Sequence, residues 1–238
     1  MGPRLSAARA LPAPRTDRPM DFHLYLDSAD LDELRRCLPH PVLHGVTTNP
    51  TLLARAQVRR AEVPGLLARC LELGARQVQA QVSSPDAEGM LRDAEALLAP
   101  FDRGQLVVKI PATRAGFAAG AVLAARGVPV TYTAVYALEQ AHFAAQLGAA
   151  YAAPYLGRLQ DAGIDGLALI GQMQQLVRAS GAATRLLPAS VRSREAYLAL
   201  LQLGVGAITI PPRLFAELMD HAATAEAERG FLGDAQKL

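Results

Sequence analysis

Short apolar or β-branched runs alternate with longer Ala-, Leu- and Arg-rich segments along almost the whole chain, and this alternation restricts the fold more than any other feature. Strand-like runs fall at 22–27, 43–46, 77–82, 106–110, 128–132, 150–153, 185–189 and 207–210. Between them lie 29–37, 64–73, 86–98, 114–125, 137–147, 165–179, 194–203 and 212–221, most with leucine or alanine at the three- and four-residue spacing of an amphipathic helix. Gly74, Gly127, Gly148 and Gly204 stand just past helical patterns, where a left-handed cap is wanted. Asp30 precedes Glu33 by three residues, the spacing of a capping box. Regular alternation of this kind predicts a parallel sheet with helical crossovers. Eight units in residues 21–238 suit an α/β fold of one domain, a single (β/α)8 TIM barrel. The rival, an open doubly wound sheet, lacks support because no Gly-rich dinucleotide fingerprint follows the first strand.

Composition matters here for what it excludes. Hydrophobic residues make up 51% of the 238 and charged residues 19%, enough for a large core. No apolar run reaches the roughly 20 residues of a membrane-spanning helix, so no membrane partner is expected. The formal charge of +2 is concentrated in residues 1–20, where Arg4, Arg9, Arg15 and Arg18 face only Asp17. The rest is near neutral, which argues against a nucleic-acid partner. Residues 1–20 have no apolar signal core and are read as a disordered extension outside the barrel, with Met20 a possible alternative start. Cys37 and Cys70 have no metal-ligand spacing and read as reduced thiols of a cytoplasmic protein, and nothing in the sequence demands a metal.

Barrel active sites lie at the carboxyl ends of the strands. Seven of the eight candidate strands end in hydrogen-bonding or ionisable groups: Asp27, Thr47 to Asn49, Gln81, Lys109, Thr133, Tyr155, and Ser190 with Arg192. Lys109 interrupts the apolar run Leu106-Val107-Val108-Lys109-Ile110-Pro111, and alternation places it on one face with Val107. If that face points inward, burial lowers the ammonium pKa and leaves an amine able to attack a carbonyl. The other reading is a lysine snorkelling from a strand end. Asp27 reads either as a buried carboxylate that handles a proton or as a helix N-cap. Asn49 reads either as a ligand for a substrate hydroxyl or as part of a strand-to-helix turn with Pro50 at the first helical position. Gln81 and Tyr155 say little alone. Arg158, Ser190 and Arg192 suit a phosphate, or a solvated loop.

Taken together, Leu24 to Asp27, Gly45-Val46-Thr47-Thr48-Asn49-Pro50, Val107 to Pro111, Thr133-Ala134-Val135-Tyr136, Ala153 to Arg158 and Ala189-Ser190 resemble the transaldolase family and, within it, the small fructose-6-phosphate aldolase branch. The resemblance runs from about Phe22 to about Thr224. It implies a barrel in which Lys109 forms a Schiff base with a ketose or dihydroxyacetone and Asp27 assists proton transfers. Thr47 and Asn49 would bind the donor's hydroxyls, Gln81 and Thr133 the catalytic water, and Arg158, Ser190 and Arg192 the acceptor phosphate. It further implies sugar phosphates as partners, no metal or organic cofactor, and a homo-oligomer.

Family transaldolases typically carry glutamate where Gln81 stands and phenylalanine where Tyr155 stands, so both residues match the aldolase side. The expected reaction is reversible cleavage of fructose 6-phosphate to dihydroxyacetone and glyceraldehyde 3-phosphate. The alternatives are transaldolase, passing the dihydroxyacetone unit between sugar phosphates of the pentose phosphate pathway, and a non-catalytic sugar-phosphate binder. Ser83-Ser84-Pro85 after Gln81, Arg114 after the Lys109 strand, and a segment after His221 that lacks the usual aromatic-acidic helix ending depart from the family pattern.

Overall fold

A computed structural model describes residues 22–238. The expected extension at 1–20 lies outside the described residues. The eight strands are β1 (His23–Asp27), β2 (Leu43–Thr47), β3 (Gln77–Gln81), β4 (Leu106–Pro111), β5 (Val130–Val135), β6 (Tyr151–Pro154), β7 (Arg185–Leu186) and β8 (Ala207–Ile210). They form one parallel sheet in the order β7-β6-β5-β4-β3-β2-β1-β8. The last gap is bridged where Thr209 N donates to Pro188 O at 3.1 Å, so the sheet curls into a nearly closed (β/α)8 barrel. β7 is shorter than the expected 185–189 because Pro188 has no N–H to give the ladder.

The helices are α1 (Leu31–Cys37), α2 (Pro50–Arg55), α3 (Val63–Glu72), α4 (Ala87–Leu98), α5 (Arg114–Ala125), α6 (Leu138–Gln146), α7 (Leu156–Asp161), α8 (Gly166–Ala179), α9 (Arg194–Gln202), α10 (Pro212–Met219) and α11 (Ala222–Ala235). All four glycines expected as left-handed caps have positive φ. The capping box on α1 forms only in part. Asp30 accepts from the backbone of Asp32 and Glu33, but Glu33 takes the hydroxyl of Ser28 instead of returning to the cap. Three helices depart from the expectation: α2 and α7, each six residues long, and α11, which makes the segment after His221 helical. Its run of alanines interleaved with Glu226, Glu228 and Arg229 is strongly helix-forming, although the helix is exposed along its length.

Strand alternation sorts the core into two parts. Leu106, Val108 and Ile110 of β4 face the helical shell, as do Leu24, Leu26, Val78 and Tyr132 from neighbouring strands. Val107 points the other way and packs with Tyr25, Tyr151, Ala153, Leu187 and Ala207 inside the barrel. The amino-terminal end of this interior is polar: the Tyr25 hydroxyl donates to Gln77 Oε1 at 2.6 Å and lies 2.7 Å from that of Tyr151. The interior is therefore filled below the carboxyl ends of the strands. Among the described residues no helix is long and apolar enough to cross a membrane, and both cysteines are free thiols.

Candidate active site

All ten residues expected to carry chemistry lie at or just beyond the carboxyl ends of the strands. They fall into three groups.

The first surrounds Lys109. In β4 it pairs with Gln81 of β3 on one side and Thr131 of β5 on the other. Its side chain enters the barrel and the residue is only 3% exposed, so it does not snorkel. Nζ donates to the carbonyl of Thr48 at 2.8 Å. Asp27, at the end of β1, accepts from Thr47 Oγ1 at 2.7 Å. Thr47 Oγ1 is also 2.7 Å from Thr209 Oγ1; since its own proton goes to Asp27, Thr209 is the donor there. Asp27 is therefore not a helix cap. Burial pushes the Lys109 pKa down, opposed by the charge of Asp27. Burial pushes the Asp27 carboxyl up, opposed by Lys109 and the Thr47 hydroxyl. The low-dielectric interior thus drives both groups toward their neutral forms.

Asn49 fulfils the turn reading. It caps α2, its Oδ1 accepting from Leu52 N at 3.0 Å, with Pro50 in the first turn. Capping uses the carbonyl oxygen and leaves the amide nitrogen for a ligand. Gln81 ends β3 half-buried beside Lys109. The Ser83-Ser84 turn that follows is tied down by Asp93 of α4, whose carboxylate accepts from both backbone amides at 2.8 Å and pairs with Arg60. Burial alone would raise the Asp93 pKa, but the two amides, the Ser84 side chain and Arg60 hold it below the usual carboxylate value. A depressed carboxylate pKa contributes stability above the unfolded value, and that contribution is lost as pH falls through the folded one. Asp93→Ala should therefore cost about 3 kcal/mol at neutral pH, chiefly by stranding the two amides. Urea titrations should show the gap from wild type narrowing, by the charge-dependent part, as pH drops below about 4. A gap as wide at pH 2 as at pH 7 would refute this account.

The second group is Thr133 with Tyr155. Thr133 is buried in β5 just before Ala134, which has a φ of 57° where the β5–β6 register shifts. This bulge breaks the alternation beyond Thr133. The Thr133 and Tyr155 hydroxyls are 2.8 Å apart. Tyr155 has a raised pKa, first from burial and further from nearby Asp27 and Tyr136, against the Thr133 hydrogen bond and Arg158. The influence of Asp27 on Tyr155 links this pair to the Lys109 group. The Arg158 guanidinium carbon lies 5.7 Å from the Tyr155 ring centre.

The third group joins α7 to the loop after β7. Gly157 N donates to Ser190 O at 3.1 Å, and Ser190 has a φ of 58°. Arg192 makes a two-pronged bond to Asp161, Nη1 to Oδ1 and Nη2 to Oδ2, both at 2.6 Å. Arg158 and Arg192 are exposed and Ser190 is half-buried.

Several participants escaped the sequence reading: the Thr48 carbonyl, Thr209, Asp93 and Asp161. Thr209 had a usable signal, since in Ala207-Ile208-Thr209-Ile210 it is the polar residue of the strand that otherwise lacked one. Chemically, the site offers a sequestered amine able to act as a nucleophile, a carboxyl group and hydroxyls able to move protons, and two guanidinium groups at one rim. Among the described residues no cluster of three or more His, Cys, Asp or Glu is arranged to hold a metal.

A parallel barrel with an amine-centred mouth defines a class of barrel enzymes. Comparison with known proteins narrows it. Residues 24–238 match the family described as Transaldolase/Fructose-6-phosphate aldolase. Relatives named "Probable transaldolase" include one from Anaeromyxobacter sp. (36% identity over 217 residues, covering 91% of this chain and 99% of the relative). Another, from Desulfitobacterium hafniense, is 35% identical over 213 residues, covering 90% and 98%. One from Thermus thermophilus is 34% identical over 224 residues, covering 91% and 99%. A solved structure from Coccidioides immitis, assigned as a fructose-1,6-biphosphate aldolase, superposes with a TM-score of 0.55 at 11% identity over 81% of this chain and 74% of that one, a likeness of fold alone. The chain belongs to the transaldolase/fructose-6-phosphate aldolase family, and it is an enzyme.

Proposed function

We propose that this enzyme is a Schiff-base aldolase that cleaves fructose 6-phosphate to dihydroxyacetone and glyceraldehyde 3-phosphate and runs the reverse addition. The observation that carries the reading is the buried Lys109, held by the Thr48 carbonyl and close enough to Asp27 for each to shift the other's titration. In this reading the neutral amine attacks the ketose carbonyl, and loss of water gives an iminium. Removal of the C4 hydroxyl proton breaks the C3–C4 bond, and the electron pair passes into the iminium as an enamine. The aldehyde leaves, C3 is protonated, and water regenerates the amine and frees dihydroxyacetone. Asp27 handles protons at the hydroxyls of the bound unit, and Thr47 and Asn49 bind those hydroxyls. Gln81 and Thr133 hold the water, and Arg158, Ser190 and Arg192 take the phosphate.

A second reading, transaldolase, is favoured by the names of the relatives. There the enamine attacks a second aldose phosphate before it is protonated. Tyr155 decides between the two, because a hydroxyl beside the enamine can deliver the proton that ends the reaction as free dihydroxyacetone. Its bond to Thr133 is consistent with a relay from the water site. Fructose 6-phosphate with and without erythrose 4-phosphate tests the proposal: product without the acceptor supports an aldolase, turnover only with it a transaldolase. Tyr155→Phe should lower cleavage on the order of 100-fold while transfer falls by less than about tenfold. Equal losses would remove Tyr155 from its assigned part.

A further inference from the structure

The rim around Arg192 contains a residue that neither the motifs nor the proposed chemistry uses. Asp161 ends α7, the short helix that also carries Gly157 and Arg158. Its two carboxylate oxygens accept from Nη1 and Nη2 of Arg192, both at 2.6 Å, an end-on grip across 31 residues of sequence. An arginine held in this way has used one hydrogen on each terminal nitrogen and keeps Nε–H and the outer hydrogens free.

The direction of the free edge follows from Gly157. A Cβ built there would lie 2.7 Å from Arg192 Nε, 2.8 Å from Ser190 Oγ and 2.5 Å from Ser190 O. The nitrogen and the hydroxyl therefore both lie close against Gly157, and any side chain there would push them apart. Asp161 holds the far edge of the guanidinium, so its near edge stays turned toward Ser190.

We propose that Asp161 is a positioning residue for phosphate recognition: it fixes Arg192 so that its Nε edge stays on the Gly157 side, near the Ser190 hydroxyl, ready for the same phosphate. The inference rests on the reading of Arg158, Ser190 and Arg192 as the phosphate subsite. Two effects of the carboxylate oppose each other. It repels an incoming phosphate, but both side chains of the pair are 57% exposed, and the repulsion acts through water and screening salt. It also orders a long, rotamer-rich side chain before the ligand arrives, which spares the ligand that entropy. At a solvated rim the ordering wins. Asp161 thus increases phosphate affinity even though it lowers the positive charge of the site.

Calorimetric titration of the full-length protein with inorganic phosphate tests this. Asp161→Asn keeps the shape but loses the charge-assisted grip, and should weaken binding about three- to tenfold. Asp161→Glu, which restores the carboxylate, should recover much of that loss. Unchanged or tighter binding by Asp161→Asn, alongside loss of binding in Arg192→Met, overturns the proposal and leaves the phosphate subsite standing. No binding by wild type, or binding unaffected by Arg192→Met, overturns both. A thermal melt of each variant separates these outcomes from a folding defect.

Discussion

Lys109→Ala is expected to fold like wild type and to lose activity on the order of 10⁴-fold or more, because the bond-breaking step has no electron sink without the amine. The fold should survive because the side chain contributes one hydrogen bond, to the Thr48 carbonyl, and its removal also relieves the desolvation of a buried amine. Borohydride added with dihydroxyacetone should attach the three-carbon unit irreversibly to wild type and leave the variant unmodified by mass. Attachment at another lysine, or turnover near wild type, would sink the mechanism. The pH behaviour follows from the same burial. The lysine pKa is lowered in the folded state, so the reactive neutral amine gains population as pH rises through it. Across the window from that lowered value to about 10.4 the unfolded chain binds more protons, and stability rises with pH. The alanine variant should lack this slope.

How far such a site can be read from sequence depends on the range of the interaction. Lys109 was legible because strand alternation is local: a lysine two residues from Val107 must share its face, and Val107 lies inside the barrel. The eight strands were legible for the same reason, although the expected 185–189 ran through Pro188, which has no N–H for the ladder, and β7 ends at Leu186. The six-residue α2 and α7 are too short to display a helical period; Pro50 marks the start of α2, and nothing comparable marks α7. Asp93 and Asp161 were missed on different grounds. An acidic residue in a helix reads as solvated surface until the fold brings it against a turn or an arginine 31 residues away. The motif block around Asn49 pointed to the right place while hiding its division of labour: one end of that amide caps α2, and only the other is left for a substrate.

The largest effect on stability is expected from one methyl group. Gly45 sits in β2 opposite Gln77 of β3, and a Cβ there would come within 1.8 Å of the Gln77 carbonyl oxygen, 2.8 Å of its carbon and 3.1 Å of the Tyr25 ring. The obstacle is backbone in a sheet, not the tip of a flexible side chain, so the two strands must separate and give up ladder hydrogen bonds. Overpacking with lost pairing puts the cost of Gly45→Ala at about 4 kcal/mol. The same substitution at Gly65 is the control. That residue lies exposed in the first turn of α3 with nothing within 4 Å, and alanine there should stabilise by up to about 1 kcal/mol. Denaturant midpoints should therefore move in opposite directions for the two variants. A Gly45→Ala protein within about 1 kcal/mol of wild type would mean the strands are not this close. The consequence extends to catalysis, because β2 carries both Thr47, which holds Asp27, and, one residue on, the Thr48 carbonyl that holds Lys109. Any Gly45→Ala protein that does fold should show a Lys109 titration displaced from that of wild type.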